Sequence, residues 1–491
     1  MGTRGCYFYR YRNLYFVYFR HYDSYPEGLG VEMLQCLRLP HAITEKQQEL
    51  EEILDELDGQ SLPQELDGDD SLMIFDQRSN SFGLDVEWIY GIDLDRNVFL
   101  VNGIPFYSLE CFPEPEDFPE DVVNDLYDNL ACAPECPPEY KYKKPAAPVI
   151  DDSDLKTYRS LACTGPDAAL SDLLGINDTL STNEQVRVSV LEMMIAQCIY
   201  FTNPHPDISR LTYEFEFISN PNQLSDEEWL DGYFLVSLAF VPQMFDAPSM
   251  FHPIKPSRKE FIWAREDTVI CLATHLDNER CLQASMSRLI KTILEQRDAP
   301  GDYFGVAFSV SHCAIVKVVK DAYTATFSHT TALQFLPSFF SESPSTPGIT
   351  ALARLGYRID PALFPFAQRI NGAPPSVNSA ALPVELWQEI ALYLDLRDVL
   401  VLRLVSKLCR QAASSVLRYP HVLGHRLVAV SKEMPRSPLR AASFTAERAG
   451  TPTTVVVGQG ASHASQTKFV YPLLYATSPI TGFYISVSWL A

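Results

Sequence analysis

Apolar residues follow two rhythms along the chain. Near the start, Cys6-Tyr-Phe-Tyr-Arg-Tyr11 and Leu14-Tyr-Phe-Val-Tyr-Phe19 flank Arg12-Asn13. Tyrosine, phenylalanine and valine suit a pleated, half-buried surface, and a polar pair between two such runs marks a hairpin turn. The same pattern returns at Trp88 to Asp95 and Val98 to Gly103 around Arg96-Asn97, with Ile104 to Tyr107 continuing the edge. Both hairpins are expected in one sheet. The slower rhythm marks helices. Glu45 to Asp58 is helical and acidic, hence solvated. Ser181-Thr-Asn-Glu184 has capping-box spacing ahead of the apolar run Val186 to Tyr200. Asp277 to Gln296 places Cys281, Met286, Leu289, Ile290 and Ile293 on one side, and Gly232 to Phe245 reads as a short core helix. Tyr303 to Val310 and Cys313 to Val319 form an antiparallel pair, with Tyr323 to Ser328 as a third strand. The fold class is therefore α+β, a mixed antiparallel-sheet body with helices.

Turn formers and proline set the divisions. Residues 1–112 are the β-rich part of the body, and 113–155, with Pro137-Pro138 and Pro145 to Pro148, are an acidic linker or a surface excursion. Residues 156–370 continue the α+β body, and 371–379 are a linker that frees the next segment from it. Beyond residue 422 the composition drifts to Ser, Ala, Thr and Gly, so 423–491 are expected to be a low-complexity, disordered tail.

The stretch after that linker is the most informative. In Leu382-Pro-Val-Glu-Leu-Trp-Gln-Glu-Ile-Ala-Leu-Tyr-Leu394, the residues Leu382, Leu386, Ile390, Tyr393 and Leu394 share a helical face, with Glu385, Gln388 and Glu389 opposite. Pro383 suits the first helical position, because its missing N–H has no intrahelical acceptor there. Asp395 and Asp398 open a second helix as cap and first-turn acid. From Val399 to Val405 this helix is apolar nearly all round, with Arg403 its one polar residue. A three-helix unit this small buries too little surface to cover such a helix unaided. At about 1.5–3 kcal/mol per large aliphatic side chain, leaving several of them wet would match a small domain's whole stability. The segment therefore reads as a docking motif.

In residue order, this stretch resembles the F-box family: Leu382-Pro383, Glu385-Leu386, Glu389-Ile390, Leu394-Asp395, Asp398-Val399, Leu404-Val405, Lys407 and Arg410 stand where that pattern has them. It departs at Cys409, where the family usually places tryptophan, and at Ser406, a common replacement for cysteine. The third helix is therefore expected to pack less tightly. The resemblance covers residues 380–422 of 491. It implies a small three-helix F-box in which Leu382, Pro383, Leu386, Ile390, Leu394, Leu402 and Val405 contact a Skp-type adaptor. That adaptor would in turn hold a cullin, and the body would recruit a target of unknown identity for ubiquitin transfer. The opening Met-Gly-Thr-Arg-Gly and Asp23-Ser-Tyr-Pro-Glu-Gly-Leu-Gly30 resemble uncharacterised proteins recurring in fungi, which brings no function.

Charge narrows the partners. The formal net charge of −23 disfavours nucleic acid and anionic membranes, both of which are bound by neutralising lysine and arginine. Between Val399 and Ala446, however, Glu433 is the one acid among eight bases, which agrees with docking on an acidic partner. The uncharged stretch from Phe469 carries Pro472, Pro479 and Gly482, a poor membrane helix. Eleven cysteines without a repeating spacing read as reduced thiols of a cytoplasmic or nuclear protein. Cys132 and Cys136 lack a second ligand pair for zinc, so no metal and no cofactor is expected. P-loop, Rossmann and nucleophile-elbow motifs are missing from the sequence. The one alternative from another class is a thiol hydrolase, with Cys6, His21 and Asp23 converging across the first hairpin and the docking helices as a regulatory appendage.

Overall fold

A computed structural model describes the chain except residues 1–2, 58–63, 67–71, 77–85, 125–129, 162, 201–207, 241–243, 247–257, 337–345, 358–381, 423, 432–440, 459–467, 476–483 and 489–491. The 371–379 linker therefore lies outside the described residues. The chain divides into two compact units, Met1–Ala146 and Ala147–Ala491.

The first unit is built on the hairpin Gly5–Tyr11 and Leu14–Arg20. Arg12 and Asn13 turn with φ of 51° and 60°, as the tight turn of a hairpin requires. The Asp95 carboxylate accepts both of their amide N–H groups, at 2.8 and 3.0 Å. The second hairpin, Trp88–Asp93 and Val98–Val101, joins the same sheet as expected. It does so by running parallel to Gly5–Tyr11. Ile104–Ser108 extends that side, and Leu72–Phe75 and Gln64–Leu66 extend the other. Helix Val31–Leu37 buries Met33, Leu34 and Leu37, while acidic helix Ala42–Glu56 buries Leu50 and leaves most of its surface wet.

Within residues 113–155, described residues up to Tyr142 pack on this sheet. Phe118 is fully buried beside Tyr90, Phe99, Phe106 and Tyr107, with ring centroids 5.8–6.4 Å away. The Tyr107 hydroxyl donates to Asp121 at 2.5 Å, and the Tyr142 amide to the Phe106 carbonyl at 2.8 Å. Gly30 is needed where Phe118 enters, since a Cβ there would stand 2.3 Å from the ring.

In the second unit a sheet runs in the order Cys163–Gly165, Ala325–His329, His312–Lys320, Gly301–Phe308, Thr268–Leu272, Phe261–Trp263, with Leu333–Gln334 paired beside His312–Lys320. Helix Glu279–Gln296 links Thr268–Leu272 to its parallel neighbour Gly301–Phe308 and buries Cys281, Met286, Leu289, Ile290 and Ile293, the stripe read from the sequence. The other face of the sheet meets helices Thr182–Tyr200, Ile208–Phe217, Asp226–Ser237 and Pro347–Tyr357. The capping box read at Ser181 closes with Glu184, and Ser225 forms another with Glu228. The second of them corrects the sequence reading of Gly232 to Phe245. It starts the helix at Asp226, so the helix ends at Ser237 and Met244–Asp246 is a strand.

Beyond residue 422 the described residues include strands. His421–Val422, His425–Val430, Ala441–Arg448, Thr451–Gly458, Lys468–Tyr475 and Tyr484–Ser488 are strands, and with Met244–Asp246 they close a barrel. Ala449 and Gly450, at φ of 47° and 78°, make the tight turn of its central hairpin. The run Thr453-Thr-Val-Val-Val457 is strand-favouring, although the bulk composition resembles a linker. Among the described residues no helix is long and apolar enough to cross a membrane.

Candidate functional site

Three short helices follow the body: Val384–Leu392, Leu396–Leu402 and Lys407–Leu417. Pro383 sits one position earlier than expected, as the cap residue, where its carbonyl accepts from the Leu386 and Trp387 amides at 3.2 and 3.3 Å. Asp395 holds the cap position of the second helix, but its carboxylate makes no capping bond. It accepts instead from Arg448 Nε at 3.0 Å. The third helix is capped by Ser406, whose hydroxyl accepts from the Cys409 amide at 3.1 Å. Cys409 is fully buried, so the residue that departs from the family pattern is part of the interior.

The helices pack around Ala391, Leu396, Val399, Ala413, Val416 and Leu417, with Leu392, Leu394, Leu400 and Leu402 half-buried against them. Facing water are Leu382, Leu386, Ile390, Tyr393, Val401, Leu404 and Val405, each 37–64 % exposed. Seven large apolar side chains are thus exposed on a short segment. Of the residues singled out in the sequence, Leu382, Pro383, Leu386, Ile390 and Val405 lie in the open. Leu394 and Leu402 are half-buried in the inner cluster. Tyr393, Val401 and Leu404 are exposed alongside the first group. Their apolarity was visible in the sequence, but a helix apolar all round does not say which residues point outward.

The alternative thiol site does not assemble. Cys6 is fully buried in the first sheet, and burial pushes its thiol up to about 12, which suppresses the thiolate. His21 and Asp23 are exposed, the His21 ring lies edge-on to Phe19 at 4.6 Å, and no hydrogen bond joins the three residues. Cys313 is likewise buried, its thiol raised by desolvation, while its neighbour His312 is half-exposed. Among the described residues no group of three or more histidines, cysteines and carboxylates is placed to hold a metal ion.

Residues 380–421 match the F-box domain model, and they are the residues that form the three helices. No curated protein and no solved structure matches the chain. The N-terminal body has no family assignment, and its resemblance to fungal proteins gains no support.

Proposed function

We propose, from the F-box domain at residues 380–421, that this chain is a substrate-recruiting subunit of a Skp-cullin-F-box ubiquitin ligase. The three helices dock a Skp-type adaptor, the adaptor brings the cullin, and the body upstream holds the target. The bond-making chemistry belongs to other subunits, and the complex works in the cytoplasm or nucleus. Leu382, Pro383, Leu386, Ile390 and Val405 form the contact, joined by Tyr393, Val401 and Leu404. Leu394 and Leu402 support it from behind.

The observation that carries this reading is the open apolar face, which the chain leaves uncovered although it has a large body to cover it with. Burying five such side chains contributes about 8–15 kcal/mol before association costs are subtracted. The bases from Arg403 to Arg440 add attraction to an acidic adaptor.

The test is capture of a purified Skp-type adaptor by the full chain and by Leu386→Asp combined with Val405→Asp. Both positions are exposed, so the variant keeps its circular dichroism and loses capture by at least tenfold. Undiminished capture would sink the docking assignment.

A further inference from the structure

We propose that Arg187 and the turn at Ala449–Gly450 form a mount that fixes the direction in which the F-box presents its docking face relative to the upstream body. This rests on the F-box reading of the three helices and adds a positioning role to residues outside them.

Arg187 lies on helix Thr182–Tyr200 and is buried, at 6 % exposure. Its Nη1 donates to the Arg418 carbonyl at 3.3 Å, its Nη2 to the Ala239 carbonyl at 3.5 Å, and its Nε finds no acceptor. No carboxylate pairs with it among the described residues. Both bonds are long, and as ordinary hydrogen bonds they would be weak. What gives them meaning is where the carbonyls stand. Arg418 directly follows the third F-box helix, Lys407–Leu417, and Ala239 lies just past the end of body helix Asp226–Ser237. Two helix C-termini, each the negative pole of its dipole, therefore converge on one cation. One helix belongs to the F-box and the other to the body.

The same junction holds more contacts. The Arg418 guanidinium lies 6.0 Å over the Tyr357 ring and that of Arg426 5.0 Å over Tyr419, while the Leu427 amide donates to the Pro420 carbonyl at 2.8 Å. Burial pulls the Arg187 guanidinium down to about 10. A buried charge without a counter-ion is poor for stability, and an apolar side chain of similar length would serve packing better. Fixing two helix ends is what the charge does that an apolar side chain would not.

A separate contact holds the three helices elsewhere. Arg448, at the end of a barrel strand, donates to Asp395 between the first and second helices. Beside it, Gly450 backs onto Tyr393 so closely that a Cβ would stand 2.5 Å from the ring. The F-box is thus held to the body at one point and to the barrel at another.

The experiment measures a distance in the full chain without any partner. Spin labels carried on a non-natural amino acid at the exposed positions Glu295 and Gln411 leave the eleven native thiols untouched. The unsubstituted chain should give one narrow distance peak. Arg187→Met should broaden it while the melting temperature holds or rises, and Arg187→Lys, which keeps the charge, should narrow it again. A role in packing alone would lower the melting temperature and leave the distance peak narrow, and that outcome overturns the mount. Should Arg187→Met fail to fold, Arg448→Ser with Gly450→Val on the exposed turn is read instead; broadening supports the mount and an unchanged peak overturns it. Adaptor capture is scored separately on the unsubstituted chain, so failure to dock would count against the F-box function and leave the distance result standing.

Discussion

The aromatic core of the first unit and the three helices of the F-box solve the same problem in different ways. In the first unit the large side chains face inward: Tyr90, Phe99, Phe106, Tyr107 and Phe118 are all but fully buried, with Val122, Leu130, Cys132 and Tyr140 packed against the same cluster. The F-box divides its apolar groups between inside and outside. Alanines 391, 412 and 413 and Cys409 are fully buried, while leucines, isoleucine, valines and a tyrosine face water. Leu396, Val399, Val416 and Leu417 complete that interior, yet seven further large apolar groups stay outside it, open to packing against something else. Charge divides along the same line. Residues 1–146 hold 29 Asp and Glu against 11 Lys and Arg, whereas Val399 to Ala446 holds a single acid, so that stretch would repel an acidic partner least.

The comparison breaks hardest at Phe118. Phe118→Ala should cost about 3–5 kcal/mol of unfolding free energy in the first unit, measured by denaturant titration, because the cavity would be lined by rings that cannot collapse into it. A cost below about 1 kcal/mol would mean that the segment around Phe118 is not part of that core.

A smaller effect belongs to His421, immediately after the F-box helices. Burial pulls its imidazole from 6.5 down to about 4, helped by nearby Arg426 and opposed by its bond to the Tyr419 carbonyl. The unfolded chain therefore binds a proton between those two pH values that the folded chain refuses. Stability is fully present above pH 6.5, falls as pH drops towards 4, and is flat below. At about 1.4 kcal/mol per pH unit the loss amounts to roughly 3 kcal/mol. Acid titration of unfolding should show that slope in the unsubstituted chain and a shallower one in His421→Gln.

The smallest stability effect sharpens the contrast. Val401→Ser removes an exposed apolar side chain, so unfolding free energy should move by no more than about 0.5 kcal/mol. Adaptor capture should weaken measurably. A stability loss of about 2 kcal/mol would instead place Val401 in an interior.

The sequence was legible wherever local pattern and final environment agreed. The hairpin at Arg12-Asn13, the stripe from Cys281 to Ile293 and the box at Ser181 are each fixed by neighbours a few residues away. Phe118 was not legible, because prolines and acids around it read as solvent-facing and its burial depends on rings contributed by distant strands. The strands described after residue 422 carry little signal of their own: alanine, serine and threonine fill a linker and a strand equally well, and only pairing tells them apart. In the F-box the register was readable, but the split between Leu402 inside and Val401 outside was not, since both are apolar and adjacent. Arg187 carried no signal at all. A lone arginine in a helical run says nothing of the two helix ends it will meet.

The parallel pairing of Gly5–Tyr11 with Trp88–Asp93 also sets a timetable. Arg10 and Asp93, a buried ion pair, stand 83 positions apart, so the first strand leaves the ribosome long before its neighbour exists. At about 5–20 residues per second that interval is roughly 4–17 s, during which a tyrosine- and phenylalanine-rich hairpin shows an unpaired edge to its surroundings. Synthesis rate and chaperone supply, more than equilibrium stability, would then govern how much of this protein a cell recovers in folded form.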